Sequence, residues 1–307
     1  MRVLFLVNPV ASSVTARRQV IIHKLLTADH EVERVDTTHR GHATELAADA
    51  ARSGFEAVVV MGGDGTLNEA ANGLAGTSTA LVALPGGSTN VFARTIGLSD
   101  DPIEATMSMI EAMNAGEVKR IGLGSVNGRY FLFHTGVGWD ARLVRQVEKR
   151  AKVKKYASHP LFIWCGLETF FGLYDRKNPH FSITYEDGVR VDGGYFSVIL
   201  NTNPYTYVGT TPFSLSPDAT LDRPLAAVTM TKMKSLSFLR LMFATLRSPD
   251  ATTRSSIVDY RADLFGATIE AYHPTPYQVD GDDCGDEMRL EFLFHPEALN
   301  LVMPLQD

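Results

Sequence analysis

The chain has 307 residues, of which 45% are hydrophobic, and its formal net charge is −6. This length is sufficient for two domains of ordinary size, and the acidic balance excludes a general nucleic-acid-binding protein, which needs a basic surface. The two cysteines, Cys165 and Cys284, form no CxxC pair, so the sequence indicates neither a disulfide framework nor a zinc site and fits a reducing cytoplasm.

The first third of the chain alternates short β-branched runs with longer helical patterns. This alternation predicts an open α/β domain, in which parallel strands are joined by crossover helices. The predicted strands are residues 3–8, 32–37, 57–61 and 80–84. The predicted helices are residues 16–26, 42–53, 67–74 and 102–115.

From about Ile121 the pattern changes to shorter strands with turn signals, which predicts a mostly antiparallel β domain. The predicted strands lie in residues 128–133, 181–200 (a hairpin that turns at Asp187 and Gly188), 225–230, 256–260, 268–272 and 288–294, and the predicted helices are residues 153–174 and 235–246. The expected domains are residues 1–121 and 122–295, with residues 296–307 as a candidate to return to the first domain.

The apolar stretches are too short to cross a membrane. The longest, residues 161–173, contains Glu168 and falls short of the ~20 residues that a spanning helix needs. The apolar run at the N-terminus is too short for the core of a signal peptide. We therefore expect a soluble, cytoplasmic protein.

Two glycine-rich loops follow neighbouring predicted strands. They read GGDGT (residues 62–66) and PGGSTN (residues 85–90), and Asn8 and Pro9 end the first strand at the same edge of the sheet. Glycine can adopt positive φ and lets backbone amides approach an anion, and ligands of open α/β sheets bind at the carboxyl ends of strands. The loops therefore predict a nucleotide phosphate site, where Asp64 suggests magnesium or an attacking alcohol nearby.

A purely structural interpretation of the loops is also open. Each loop can be a tight turn, with Asp64 or Thr66 capping the first helix and Ser88 or Thr89 capping the second. The chain has no GxxxxGK[ST], no GxGxxG and no protein-kinase HRD or DFG sequence, so those phosphate-binding classes are excluded.

The loops combine with VNP (residues 7–9), TTHRGHA (residues 37–43) and GVGWDA (residues 136–141) in a set that resembles the diacylglycerol kinase catalytic-domain family. The resemblance implies an N-terminal nucleotide domain similar to those of NAD kinases and phosphofructokinases and a C-terminal antiparallel β-sandwich. It also implies phosphorylation of a lipid hydroxyl with ATP and Mg²⁺. The residues that it places at the ATP site are Asn8, Pro9, Ser12, Thr38, Gly62, Gly63, Asp64, Gly65, Thr66, Glu69, Thr89 and Asn90.

An acidic cluster near the C-terminus carries five acids in eight residues, from Asp280 to Glu287. Alone, it is typical of a solvated hairpin turn. The resemblance aligns Asp280, Gly281 and Asp282 with a DGE motif whose carboxylates orient and deprotonate the substrate hydroxyl. Asp280 is therefore the predicted base, with Asp282 as an alternative or coupled partner.

One stretch departs from the family pattern. Where the family has an Asp-Gly pair that helps to hold a structural magnesium, this chain has Arg223 and Pro224. Arg223 replaces the metal as a fixed positive charge beside Asp218, Asp222 or the acidic cluster, or else Asp222 moves in as a metal ligand. Either arrangement is compatible with the sequence.

A basic run precedes the aromatic residues 161–173. It consists of Lys149, Arg150, Lys152, Lys154 and Lys155, and it predicts transient docking on an anionic membrane, with an ordinary charged turn as the alternative. Two other functions stay open: a soluble phosphotransferase of the NAD kinase type, and a nucleotide-binding homologue without lipid kinase activity. The identity of the lipid is open, and a homodimer is a candidate assembly.

Overall fold

The computed structural model describes residues 1–150 and 164–305. The chain is a mixed α/β protein with two compact units. The first unit comprises Met1–Leu123 together with Pro296–Asp307, and the second comprises Gly124–His295. Among the helices of these residues, none is both long enough and apolar enough to cross a membrane.

The first unit contains the alternating strands and helices that the sequence predicts. Its strands are β1 (Arg2–Val7), β2 (Glu31–Asp36), β3 (Ala57–Gly62), β4 (Ala80–Pro85) and the start of β5 (Val118–Val126). Its helices are α1 (Ala16–Asp29), α2 (His42–Arg52), α3 (Asp64–Leu74), α4 (Val91–Thr95) and α5 (Pro102–Ala115). The four predicted strands and four predicted helices are confirmed.

The sheet of the first unit is parallel, in the order β4-β3-β1-β2. All residues of β3 and β4 are buried, as expected of central strands covered by helices on both faces. The register pairs Val7 with Met61 and Gly62 with Pro85, so the carboxyl ends of β1, β3 and β4 lie at one edge. The predicted loops leave the sheet from this edge.

The second unit is built mostly of antiparallel strands. The strands are β6 (Arg129–Phe131), β7 (His134–Val137), β8 (Phe181–Tyr185), β9 (Arg190–Gly194), β10 (Phe196–Leu200), β11 (Thr206–Val208), β12 (Thr211–Phe213), β13 (Leu225–Met230), β14 (Val258–Leu264), β15 (Gly266–Val279) and β16 (Asp282–Val302), which ends in the first unit. The helices are α6 (Trp139–Lys149), a π-helix (Thr169–Leu173), α7 (Ser235–Thr245) and a 3₁₀ turn (Pro249–Ala251).

Alternate residues of the strands in the second unit pack into two hydrophobic cores. In β10, Phe196 and Val198 face one core, in which Phe238 of α7 also packs, while Ile199 faces the other core. This two-residue alternation is the burial pattern of a strand with both faces covered. The strand order β14-β13-β10-β7-β15 places β7 and β15 side by side, which positions the acidic cluster described below.

Several strands of the second unit are longer than predicted. β15 and β16 extend well beyond residues 268–272 and 288–294, and β16 begins at Asp282, inside the acidic cluster. The cluster is therefore mainly paired strand, and its turn is limited to Asp280 and Gly281. Of the predicted helix 153–174, residues 153–163 lie outside the described residues, and residues 164–173 are helical.

Candidate functional site

Three loops interlock at the carboxyl edge of the parallel sheet. They are residues 8–13 after β1, residues 62–66 after β3 and residues 85–90 after β4. Asn8 Nδ2 donates to Thr66 Oγ1 (2.8 Å), which joins the first loop to the second. The Gly86 N–H donates to Gly62 O (2.9 Å), and the Ser13 N–H donates to Gly86 O (2.9 Å), so each loop is bonded to another.

The glycines permit this close packing of one backbone on another. A Cβ on Gly86 would lie 2.8 Å from the Gly62 nitrogen, and one on Gly87 would lie 2.8 Å from the Gly63 Cα. The expectation of positive φ is wrong for the GGDGT glycines: none of Gly62, Gly63 and Gly65 has positive φ, and Gly63 has φ −83°. The sequence thus requires glycine here for space rather than for a left-handed backbone.

The Asp64 carboxylate caps a helix in the neighbouring loop. It accepts hydrogen bonds from the Val91 N–H (3.0 Å) and the Phe92 N–H (3.2 Å) at the start of α4. The capping residues predicted from the sequence are wrong. The N-cap of α3 is Gly63 and the N-cap of α4 is Asn90, and neither N-cap residue forms a capping hydrogen bond with its side chain. Asn90 Oδ1 instead accepts from the Gly87 N–H (2.7 Å), within its own loop.

The Glu69 carboxylate caps the N-terminal end of α2. It accepts from the Gly41 N–H (2.8 Å) and the Ala43 N–H (3.2 Å). Both acids of the GGDGTLNE motif therefore face the positive N-terminal end of a neighbouring helix, which stabilises their negative charge. Sequence reasoning missed these roles, since the partners are 26 to 28 residues away.

The loop before α2 adds a polar surface. Thr38 Oγ1 lies 3.0 Å from His39 Nδ1 and 3.2 Å from His42 Nδ1, and the two imidazole rings stack at 4.6 Å between centroids. The sequence singled out Thr38 but neither histidine. Pro9 and Ser12 of the first loop are exposed, and Thr89 of the third is partly exposed, so these three predicted site residues are accessible to a ligand.

The acidic cluster belongs to the second unit, where Asp280 is buried and closed in by backbone donors. Its Oδ2 accepts from the Leu132 N–H (2.7 Å), and its Oδ1 accepts from the Phe133 N–H and the His134 N–H (both 3.0 Å). Asp280 itself has φ 47° and is 3% exposed. Three donors to one carboxylate hold this turn in place and stabilise its negative charge.

Three other acids of the cluster, Asp282, Asp283 and Asp286, pair with arginines. Asp282 Oδ2 lies 3.0 Å from Arg129 Nη2, and the side chain of Asp282 is 24% exposed. Arg145 of α6 contacts Asp283 in a bidentate pair (2.7 and 2.9 Å) and also Asp286 (2.7 Å). Asp282 is thus the more accessible of the two predicted catalytic acids.

The GVGWDA motif is connected to the same turn. The Gly281 N–H donates to Gln278 Oε1 (2.7 Å), and Gln278 Nε2 donates to Asp140 Oδ2 (2.8 Å). Gly136 makes room for this carboxylate, because a Cβ there would lie 1.6 Å from Asp140 Oδ2. Burial raises the pKa of Asp140, and its other oxygen accepts from the Tyr205 hydroxyl.

Arg223 contacts two acids: Asp218, which the sequence analysis suggested, and Asp263, which it did not. Its guanidinium binds Asp263 through two hydrogen bonds (2.8 and 2.5 Å) and also contacts Asp218, so the predicted proximity to Asp218 is confirmed. The hydrogen bonds from Arg223 lower the pKa of Asp263. Within the described ranges, no three His, Cys, Asp or Glu side chains are placed to hold a metal ion.

The predicted basic membrane segment is only partly described. Lys152, Lys154 and Lys155 lie outside the described residues. Arg150 Nη2 lies 2.8 Å from Glu168 Oε2, so its charge is paired with an acid of the same segment.

Comparisons with known proteins find relatives among the diacylglycerol kinases. Residues 2–126 match the model of the diacylglycerol kinase catalytic domain. A diacylglycerol kinase of Bacillus subtilis (strain 168) is 35% identical over 134 residues, or 43% of each chain. A diacylglycerol kinase of Staphylococcus saprophyticus is 27% identical over 307 residues, which cover 99% of this chain and 95% of the relative.

The fold has a solved counterpart. The crystal structure of a diacylglycerol kinase from Bacillus anthracis str. Sterne is similar with a TM-score of 0.76 and 22% identity, over 98% of this chain and 96% of that one. This likeness concerns the fold. The resemblance inferred from VNP, TTHRGHA and the two glycine loops is confirmed by the family match, which ends before GVGWDA. Residues 2–126 are therefore similar to a diacylglycerol kinase catalytic domain, and the named relatives support a lipid kinase.

Proposed function

We propose that the chain transfers the terminal phosphoryl group of ATP to the hydroxyl of a lipid, with Mg²⁺ as the counter-ion of the nucleotide. Diacylglycerol is the first substrate to test, because the relatives described above are named diacylglycerol kinases. In this proposal the first unit is an ATP-binding domain of the kind found in NAD kinases and phosphofructokinases. The second unit is a β-sandwich that takes the lipid.

The observation that carries the proposal is the interlocking of the three loops. Gly62 and Gly86 let the loops pack closely together, and the partly exposed Gly63 leaves main chain without a side chain at this edge, so phosphate oxygens can approach it closely. The helix α3 begins at Asp64 without a side-chain cap, and its N-terminal end carries partial positive charge. These features fit a triphosphate, and the exposed Ser12 adds a hydroxyl donor.

The two motif acids are compatible with phosphate binding because helix N-termini already stabilise their charges. Asp64 faces α4 and Glu69 faces α2, so their repulsion of a phosphate is reduced. ATP supplies the reactive phosphoryl group, and in such transfers the protein contributes chiefly positioning and charge stabilisation. We assign that positioning to the loop residues Asn8, Thr66, Thr89 and Asn90, with Thr38 at the edge of the site.

The acidic turn is proposed to receive the proton of the lipid hydroxyl. Asp280 was the base predicted from the sequence, but its carboxylate already accepts three backbone hydrogen bonds, which supports a structural role. We therefore favour Asp282, whose carboxylate is partly exposed and has one arginine partner in Arg129. A weak base is sufficient, because the proton leaves as the bond to phosphorus forms.

We also propose that Arg223 takes the place of the magnesium expected from the resemblance. Its guanidinium lies between Asp218 and Asp263 and supplies the positive charge that a cation would supply. Asp222 as a metal ligand remains the competing hypothesis.

The test uses purified protein, labelled ATP and two acceptors, detergent-dispersed diacylglycerol and NAD. We expect labelled lipid and no labelled NAD. We expect Asp282→Asn to lower turnover by about 10²- to 10⁴-fold without changing the melting temperature, as for loss of a general base. Asp280→Asn should lower the melting temperature as well, because the new amide hydrogens face backbone N–H donors.

Two results would contradict the lipid kinase proposal, and a third would contradict only the assignment of its base. Labelled NAD without labelled lipid would favour a soluble phosphotransferase of the NAD kinase type. ATP binding without turnover of any lipid in a total extract would favour a homologue without this activity. Full turnover by Asp282→Asn would remove Asp282 as the base and leave the lipid kinase proposal intact.

A further inference from the structure

Two helical segments of the second unit lie side by side. The Phe170 ring stacks on the Phe238 ring of α7, with 4.4 Å between centroids and 12° between planes. Arg176 Nη1 donates to Ser235 Oγ at the start of α7 (2.6 Å), and its guanidinium lies over the Phe171 ring. Residues 164–173 and α7 therefore form one continuous surface.

This surface exposes large apolar side chains. Trp164 and Leu236 are each 65% exposed, Phe243 is 60% exposed, and Phe171 is 54% exposed. We call it the α7 surface, and its apolar members are Trp164, Leu167, Phe171, Leu236, Phe243 and Leu246. Connected exposed residues of this size mark a surface that binds something, whereas single ones need no explanation.

The α7 surface is also basic. Residues 232–247 contain four cations and no acid, although the chain as a whole has a net charge of −6. Leu236, Arg240 and Phe243 are spaced by three or four residues, so they lie on one face of the helix. Together with Arg247, two residues beyond the end of α7, they line a shallow groove. Neither Arg240 nor Arg247 forms an ion pair with any residue that the structure describes. Their charges are thus available to an anionic partner.

The opposite face of α7 fixes how the helix can dock. Phe238 and Leu241 are buried in the core of the second unit, so α7 cannot turn over to hide its outer face. A helix held in this way can enter a bilayer only in the plane of the interface. Apolar side chains on the outer face with cations among them are the pattern of a helix in that position.

We propose that the α7 surface docks this kinase on an anionic bilayer. Leu236, Phe243 and Trp164 enter the boundary between headgroups and acyl chains, while Arg240 and Arg247 bind lipid phosphates. The inference rests on the proposed function, because a lipid acceptor resides in a bilayer. It differs from the prediction at residues 149–155, where Arg150 is already paired with Glu168.

The first experiment measures sedimentation with vesicles in the absence of nucleotide. Vesicles of phosphatidylcholine alone are compared with vesicles that also contain phosphatidylglycerol. We expect binding to the second kind, and we expect Arg240→Gln with Arg247→Gln to weaken it by about 25-fold, at roughly fivefold for each cation removed. The matched control is Lys24→Gln with Arg52→Gln, which removes two exposed cations from α1 and α2 and should bind as the wild type does.

The second experiment uses tryptophan emission. The chain has two tryptophans, and Trp139 is partly buried while Trp164 lies in the α7 surface. We expect a blue shift when anionic vesicles are added, and we expect Trp164→Phe to abolish it. Phe243→Ser should reduce both the shift and the sedimentation without changing the melting temperature, because this side chain is mostly exposed.

Several results would overturn the docking proposal. They are wild-type protein that stays in solution with both kinds of vesicle, equal binding by the α7 double variant and its control, or a shift that survives Trp164→Phe. A dimer that Phe243→Ser converts to a monomer would assign the surface to a second copy of the chain. Turnover of detergent-dispersed diacylglycerol is measured in parallel, so a failed lipid kinase proposal would be distinguished from a failed docking proposal.

Discussion

Replacing Gly86 by alanine is expected to separate the second and third loops. The added Cβ would lie 2.8 Å from the Gly62 nitrogen, 2.9 Å from its oxygen and 3.0 Å from its Cα. All three atoms are backbone, so no side-chain rotation can relieve the contact. The hydrogen bond from the Gly86 N–H to Gly62 O joins the same two residues and would be strained by the shift.

The size of the effect follows from these distances. Ordinary carbon contacts are about 3.5–4.0 Å, so the loops must move apart by about 0.5–1 Å. Overpacking of this kind costs about 1–3 kcal/mol, which corresponds to a fall in Tm of several degrees for a domain of this size. Because the same backbone is proposed to hold the triphosphate, ATP affinity should fall by at least about tenfold, as expected for a loss of 1.4 kcal/mol.

Thermal unfolding and calorimetric ATP titration measure the two effects. Gly63→Ala is the matched control for the stability measurement, because a Cβ there meets only the Gly87 Cα, at an ordinary 3.6 Å, and φ −83° suits alanine. The control should lose less than about 1 kcal/mol, the amount typical for alanine at an N-cap position. Equal stability of Gly86→Ala and wild type would refute the role assigned to the glycines. An unstable variant with unchanged ATP affinity would refute the phosphate site.

Two further predictions concern the second unit. Arg223→Ala should lower the Tm only slightly, since the ion pairs with Asp218 and Asp263 are partly exposed. Mg²⁺ without nucleotide should then raise the Tm of the variant but not that of wild type. A Mg²⁺-dependent Tm in wild type that Asp222→Asn abolishes would support the metal instead. Burial lowers the pKa of His134 to about 3, so the unfolded chain binds a proton that the folded chain rejects, and stability should fall as pH drops from 6.5 toward 3. His134→Leu should reduce the slope of unfolding free energy against pH by up to about 1.4 kcal/mol per unit below 6.5, and an unchanged slope between pH 6 and 5 would contradict this assignment.

The elements that the sequence predicted well are those with local signals. α5 has Asp101 as its N-cap, Pro102 in its first turn and Gly116 with φ 75° at its end, so both boundaries are encoded within a few residues. The loop positions followed in the same way, because each comes directly after a buried apolar strand. The sequence therefore correctly predicts that the GGDGT and PGGSTN loops lie together.

What the sequence could not supply was the pairing of residues far apart in the chain. Asp64 pairs with the start of α4, and Arg223 pairs with Asp263. These contacts form only in the folded chain, and no residue spacing in the sequence indicates them. β16 was predicted too short because its acids interrupt the apolar alternation that identifies a strand. The sequence does not indicate the α7 surface, because α7 has apolar residues on both its buried and its exposed faces. No apolar–polar alternation therefore shows which face is exposed.

The hydrogen bonds of Asp64 and Glu69 bear on how mutational data for this family should be interpreted. Each carboxylate links α3 to a second helix, so removing either would disturb the architecture before any chemistry is tested. A screen that records only product formation would score both positions as essential and would assign them to the reaction. Separating scaffold from chemistry at these positions requires abundance and turnover to be measured on the same variants.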